Sequence, residues 1–199
     1  MSFTQFKVFY ALLCVGLGLI ILLPTLTMVI SLPSGEEFSE IYLLGSNHMA
    51  EDIPYRVSPN QVYRVYLGIG NHMGRLTRYR AYVKLGNQTQ SFPNDSVGAP
   101  SSLKPIFEYG AILMDDDVWE KEIEFSFLNV SFSEKTCEIS RLALDDNIIS
   151  VDQLISWNAN AHGFYCQLFF ELWHYDTTAS ETQYQNRFVG FWLNMSAIR

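Results

Sequence analysis

A charge-free apolar run over Val8–Leu32, a period-two alternation through most of the chain beyond it, and turn residues breaking that alternation at short intervals predict one architecture. It is mainly β: an immunoglobulin/fibronectin-III-like antiparallel β-sandwich preceded by one N-terminal transmembrane helix. The expected division is a cytoplasmic N-terminus over 1–7, a transmembrane helix over 8–32 and an extracytoplasmic domain over 33–199.

The first element is the apolar run, VFYALLCVGLGLIILLPTLTMVISL. About 20 helical residues cross a hydrocarbon core, and this run is longer. A cleaved signal peptide is the rival reading. Such peptides have an apolar core of roughly 7–15 residues and an A-x-A-like cleavage site, and neither is present here. Lys7 lies on the N-terminal flank, whereas the far flank opens on Ser34-Gly35-Glu36-Glu37 and has no basic residue before Arg56. The positive-inside rule then leaves the N-terminus in the cytoplasm and the rest of the chain outside a cell membrane. Ala11, Cys14 and Gly18 recur at spacings of three and four, a stripe of small residues on which a second helix could pack. The alternative is the general richness of membrane helices in glycine. Pro24 is expected to kink the helix in its outer third.

Strands make up the rest. Phe38–Leu44 is the first, ending at Gly45, and Glu51-Asp52-Ile53-Pro54 is a polar link. Gln61–Asn71 is the second, with Tyr63, Val65, Leu67 and Ile69 on one face. Thr77–Leu85 is the third, with Tyr79, Ala81, Val83 and Leu85 opposite Arg78, Arg80, Tyr82 and Lys84. That alternation suits a half-buried antiparallel strand. Pro93, Gly98, Pro100 and Pro105 mark the stretch 86–105 as a loop. Ile106–Leu113 and Val118–Leu128 flank the acidic turn Met114–Asp117. Phe164–Tyr175 turns Cys166, Leu168, Phe170 and Leu172 one way, and Arg187–Met195 aligns Val189, Phe191 and Leu193. The stretch 176–186 reads as a polar turn. Between 133 and 162 the alternation is lost, so an irregular insertion is expected there, with a short helix over Asp152–Trp157 capped by Ser150.

The segments Phe38–Gly45 (FSEIYLLG), Ala50–Pro54 (AEDIP) and Leu67–His72 (LGIGNH) resemble the opening motifs of the domain-of-unknown-function family 1616. Trp119–Glu122 (WEKE), Phe169–Trp173 and Phe191–Asn194 resemble its later segments. The resemblance spans most of residues 36–195. Met73 stands where the family pattern has an acidic residue, and 133–162 is longer than the pattern. The resemblance implies a mainly archaeal, membrane-associated surface protein and supplies no activity.

All 21 acidic residues, but only 12 of the 13 basic ones, lie beyond the apolar run. A surface that acidic excludes nucleic acid and anionic lipid heads as natural partners. The expected partners are membrane lipid around the helix and a membrane-protein or envelope component. Cys137 and Cys166 form the one cysteine pair outside the helix. In an oxidising compartment they suggest a disulfide worth on the order of 3 kcal/mol; two buried free thiols are the alternative. Asn87, Asn94, Asn129 and Asn194 each begin an Asn-X-Ser/Thr glycosylation sequon. Asn87 and Asn94 fall in polar sequence and are the better candidates.

Catalytic signatures are weak. The histidines His48, His72, His162 and His174 lack zinc-ligand spacing. The run Asp115-Asp116-Asp117 with Glu120 has oxygen ligands for a hard cation, but reads first as a solvated turn. Asn71-His72 reads as turn structure. No cofactor is expected. Tyr165, Trp173 and Trp192 lie opposite the aliphatic faces of their strands, as core packing or as a sugar-stacking patch. The sequence therefore points to a non-enzymatic, single-pass surface protein acting as an interaction or assembly module. A glycan- or small-ligand-binding domain is the alternative.

Overall fold

The computed structural model describes residues 7, 9–10, 12–20, 37–94, 96–176 and 179–196. The chain divides into two units, residues 1–37 and residues 38–199. The first holds a helix over 12–20 whose large side chains, Leu12, Leu13, Val15, Leu17, Leu19 and Ile20, are all exposed. Among the described residues no helix is long and apolar enough to cross a membrane. This helix is shorter than the span expected over 8–32. Residues 21–36, with Pro24, lie outside the described residues, as does Ala11. Cys14 and Gly18 both lie within the helix.

The second unit is one ten-stranded sheet. Its first half has the order β1 (Phe38–Leu44), β3 (Tyr63–His72), β6 (Val118–Phe132), β7 (Thr136–Leu144) and β8 (Asn147–Asn158). Its second half has the order β5 (Phe107–Leu113), β4 (Thr77–Asn87), β9 (Gly163–Asp176), β10 (Glu181–Met195) and β2 (Arg56–Val57). The halves join where Trp157 and Asn158 of β8 pair with Phe164 and Gly163 of β9. Every pairing is antiparallel except β2 with β10. The sheet curls so that both halves feed one core. Phe125 meets Phe191 with ring centroids 5.8 Å apart, and Phe132 meets Phe164 at the same distance.

The mainly β class holds. Ten strands form one continuous curled sheet, against the seven short strands expected. In β3 and β4 the alternation maps onto the core as read: Val65, Leu67, Ile69, Tyr79, Ala81 and Val83 are fully buried.

The stretch 133–162 is not an irregular insertion but the hairpin β7–β8, and Asp152–Trp157 is strand, not helix. A register shift hides it. Val151 and Asp152 stand against Ser140, and the buried residues of β7 switch from Cys137 and Ile139 to Leu142 and Leu144. In β8 the pattern is also inverted in places: Ile148 and Leu154 face solvent while Gln153 faces in. Likewise β10 begins at Glu181, so most of the expected polar turn is the end of a hairpin with β9, interrupted by a shift between Tyr184 and Phe188.

β9 is buried continuously from Gly163 to Leu172. The core covers one face; the segment 88–105 covers the other. Phe92 of that segment packs edge-on against Phe169 and Trp192, at 5.4 and 5.3 Å. Beside it lies a buried ion pair. Lys84 Nζ donates to Glu171 Oε2 and to the Ser101 carbonyl, both at 2.8 Å. The Ser101 amide donates to Glu171 Oε1 at 2.8 Å, and Trp173 Nε1 to Oε2 at 3.3 Å. Each buried charge is thus paired with the other and held by further hydrogen bonds, which offsets its loss of water.

Candidate functional site

The core reaches the surface at one end of the curled sheet, and an open groove of about 740 Å³ forms there. Five separate pieces of chain converge on it. β6 ends at Phe132, β8 ends near Trp157, and the next turn brings His162 and Gly163. β10 contributes Asn194 and Met195, running on to Ser196, and β2 contributes Arg56, with Ser58 just after it. Mouths of curled sheets are common places for ligands, because core side chains form an apolar floor and loop residues supply polar walls.

The floor is Phe164 and Met195, both buried. Trp157 packs edge-on to Phe164 at 5.0 Å yet keeps 43% of its surface exposed. Its amide donates to the Lys135 carbonyl at 2.8 Å, which fixes the backbone under the indole. Arg56 is paired across β10 with Asn194 and is exposed. The side chain of Asn194 lies over Gly163, where any Cβ would come within 2.5 Å of its Oδ1. Its Nδ2 donates to Tyr165 Oη at 3.2 Å, and Tyr165 Oη donates to the Ala161 carbonyl at 2.8 Å. None of the ten lining residues is acidic.

A second chemically dense surface lies on the outward face of β1, β3 and β6. Gly68 and Gly70 leave a bare strip on β3, over which Tyr42 and Glu40 lie. Tyr42 Oη donates to Glu120 at 3.3 Å, Tyr66 Oη donates to Glu122 at 2.6 Å, and Arg64 reaches Glu124 at 2.6 Å. His48 stacks on Tyr66 with centroids 3.8 Å apart and meets Glu120 at 3.1 Å. His72 Nδ1 meets Asp116 at 3.0 Å. That hydrogen bond raises the His72 pKa, desolvation opposes it, and Glu40 adds to the rise.

The residues singled out from sequence separate in space. Asn71 is fully buried and acts as a staple. Its Nδ2 donates to the carbonyls of Arg75, Leu113 and Met114 at 2.8, 3.0 and 2.9 Å, and its Oδ1 accepts from Tyr79 Oη at 2.9 Å. Asp115 and Asp117 accept backbone hydrogen bonds within these turns, from Gly74 and Met114. Among the described residues no group of three His, Cys, Asp or Glu side chains is arranged to hold a metal ion.

Cys137 and Cys166 are both free thiols buried in the core, not the expected disulfide. Burial pushes the Cys137 pKa up to about 12. Burial, with a further contribution from Cys137, pushes Cys166 higher. Asn94 and Asn129 are exposed. Asn87 Nδ2 is committed to the Leu154 carbonyl at 2.8 Å, as that of Asn194 is to Tyr165. Tyr165 is buried and Trp173 half-buried, while Trp192 lies against Phe92 at the surface.

The groove itself was not read from the sequence. Its residues come from positions 56 to 196, and Trp157 and His162 lie in the stretch whose alternation fails.

Residues 32–146 match the family described as Domain of unknown function (DUF1616). The chain belongs to this family. No curated protein matches the chain. The DUF1616 match takes in β1 to β7, hence the whole outward face around Gly68 and Gly70. The groove straddles its limit: Arg56, Ser58 and Phe132 lie within the match, and Trp157, His162 and Asn194 beyond it.

Proposed function

We propose that this chain is a non-enzymatic, single-pass membrane-anchored surface protein. Its N-terminus is cytoplasmic, and its extracytoplasmic β domain is an interaction or assembly module for a membrane-protein or envelope partner. The observation that carries this reading is the uncharged stretch over 8–32, whose described helical turns present large apolar side chains outward. Lipid is the solvent such a surface requires. An immunoglobulin-like kinship of the β domain belongs to the same proposal, supported by two sheet halves, antiparallel but for β2, around one core. The outward face of β1, β3 and β6 offers a fixed array of carboxylates and rings for a partner. Both cysteine thiols outside the N-terminal run are buried with raised pKa values, which makes them poor nucleophiles.

The test is membrane fractionation of the full chain, then protease digestion of intact cells and cross-linking. The expected result is retention in the membrane after alkaline carbonate, cleavage of the β domain from outside, and a stoichiometric cross-linked partner. Release by carbonate, or cross-linking that yields monomers only, would sink it. The groove favours a second reading, a glycan- or small-ligand-binding surface domain.

A further inference from the structure

We propose that the groove at the β8–β9 corner binds a carboxylated sugar ring of an anionic saccharide. The proposal rests on the ligand-binding reading of that groove and names its ligand class.

Charge is the first argument. The chain carries 21 acidic and 13 basic residues, yet none of the ten residues lining this groove is acidic. Arg56 and His162 both line it and both are exposed. Among the described residues Arg56 has no carboxylate within ion-pairing distance, a state it shares with other arginines such as Arg78 and Arg141. A planar guanidinium with a free fork matches a carboxylate in two parallel hydrogen bonds. An anion is the complementary occupant.

Shape and surface give the second argument. Trp157 presents an indole that is 43% exposed and packed edge-on by Phe164, on a backbone that its own amide ties to the Lys135 carbonyl. A rigid aromatic with one free face is an apolar platform that loses little entropy on contact. The rest of the wall is hydroxyl and amide: Ser58, Ser196 and Asn194. A ring with an apolar face, hydroxyls at its edge and one carboxylate uses all three kinds of surface. A neutral sugar would leave the Arg56 charge unpaired; a simple anion would leave Trp157 unused.

The groove is open, which suits one unit of an extended chain. It also lies at the end of β6 remote from Val118, the residue that pairs with Gly70. At ~3.3 Å per residue, β6 places these ends tens of ångströms apart. A saccharide in the groove would leave the outward face around Gly68 and Gly70 free.

The experiment titrates the full chain in detergent with tetragalacturonate and, separately, with neutral galactotetraose, reading tryptophan fluorescence and heat. The proposal expects tetragalacturonate to bind at least tenfold tighter than the neutral tetramer, and the difference to shrink as salt is raised. Arg56→Gln should weaken tetragalacturonate tenfold or more and so narrow its advantage over the neutral tetramer. Trp157→Ala should weaken both, and Lys104→Gln, on exposed surface away from the groove, should change neither. Circular dichroism of each variant checks the fold. Equal binding of both tetramers, lost in Trp157→Ala, overturns the anionic class but keeps a saccharide groove. Binding of neither tetramer overturns the ligand-binding reading with it. Tetragalacturonate binding untouched by Arg56→Gln overturns the site.

Discussion

A single buried amide holds two hairpins together. Asn71, at the end of β3, offers its Nδ2 to three backbone carbonyls, two of them more than forty residues away, at the end of β5 and just after it. Its Oδ1 accepts from Tyr79 Oη, which in turn accepts from Ser39 Oγ at 2.7 Å. The chain of bonds therefore crosses from β1 through β4 to β3. Removing the amide leaves buried carbonyls without donors, and that desolvation cost outweighs the modest net gain of an ordinary hydrogen bond. Asn71→Ala should lose about 2–4 kcal/mol in urea unfolding. Asn71→Asp should be at least as damaging, because a carboxylate cannot donate to three carbonyls. A loss below about 0.5 kcal/mol would mean that water replaces the amide and that the staple is not structural.

Between elements, two glycines of one type predict two outcomes. At Gly68 a Cβ would collide with the Tyr42 ring, a side chain on the outward face that can swing away. At Gly190 it would collide with Phe169 Cβ and lie 2.9 Å from the Leu168 carbonyl, both fixed by β9. Overpacking costs about 1–3 kcal/mol, and more where nothing yields. Gly190→Ala should therefore destabilise clearly more than Gly68→Ala, and Tyr42→Ala should rescue only the latter. Equal losses in denaturant titration would show that β9 yields as easily as an exposed ring.

The segment 88–105 sets a further test. Lys84→Met leaves the Glu171 carboxylate buried with neutral donors only, and should cost about 3–5 kcal/mol. Lys84→Met combined with Glu171→Gln should recover most of that, since Gln still accepts from the Ser101 amide. Chemical denaturation of the three proteins reads the difference, and a double variant as weak as the single would refute the ion-pair account.

These elements also show what sequence alone could reveal. β1, β3 and β4 were legible because one face is core and the other is wet, so period two survives. β7 and β8 were not: a bulge reverses the buried parity of one, and exposed Ile148 and Leu154 invert the other. The groove assembles the ends of distant strands, and no local spacing announces that. The buried role of Lys84 was invisible for a different reason. Its strand neighbours Arg78, Arg80 and Tyr82 mark a solvent face, and only the segment 88–105 turns that face into an interior.

For the whole molecule, burial of ionisable groups sets the alkaline limit. Cys137, Cys166, Tyr79 and Tyr109 all have raised pKa values, and desolvation is the first cause in each. At Tyr109 the neighbouring Asp145, which accepts its hydroxyl at 3.1 Å, pushes in the same direction. The unfolded chain ionises these groups near their ordinary values of 9.0 for a thiol and 10.0 for a phenol. The folded chain keeps them protonated well beyond. Below about pH 9 both states carry the protons, and the stabilising contribution is complete. As pH rises the unfolded state loses protons first, so stability falls, by about 1.4 kcal/mol per pH unit for each group fully in that window. Ionised phenols would also add to a net charge that is already −8 at pH 7, which favours expansion. Urea midpoints measured at pH 8, 10 and 11 should decline with an increasing slope. Tyr109→Phe should reduce that slope by about one group's share, and Cys137→Ala likewise, whatever each does to stability at pH 8. A midpoint that holds from pH 8 to 11, or a slope indifferent to both substitutions, would mean that these groups ionise as readily in the fold as outside it, and that the core is far wetter than its packing implies.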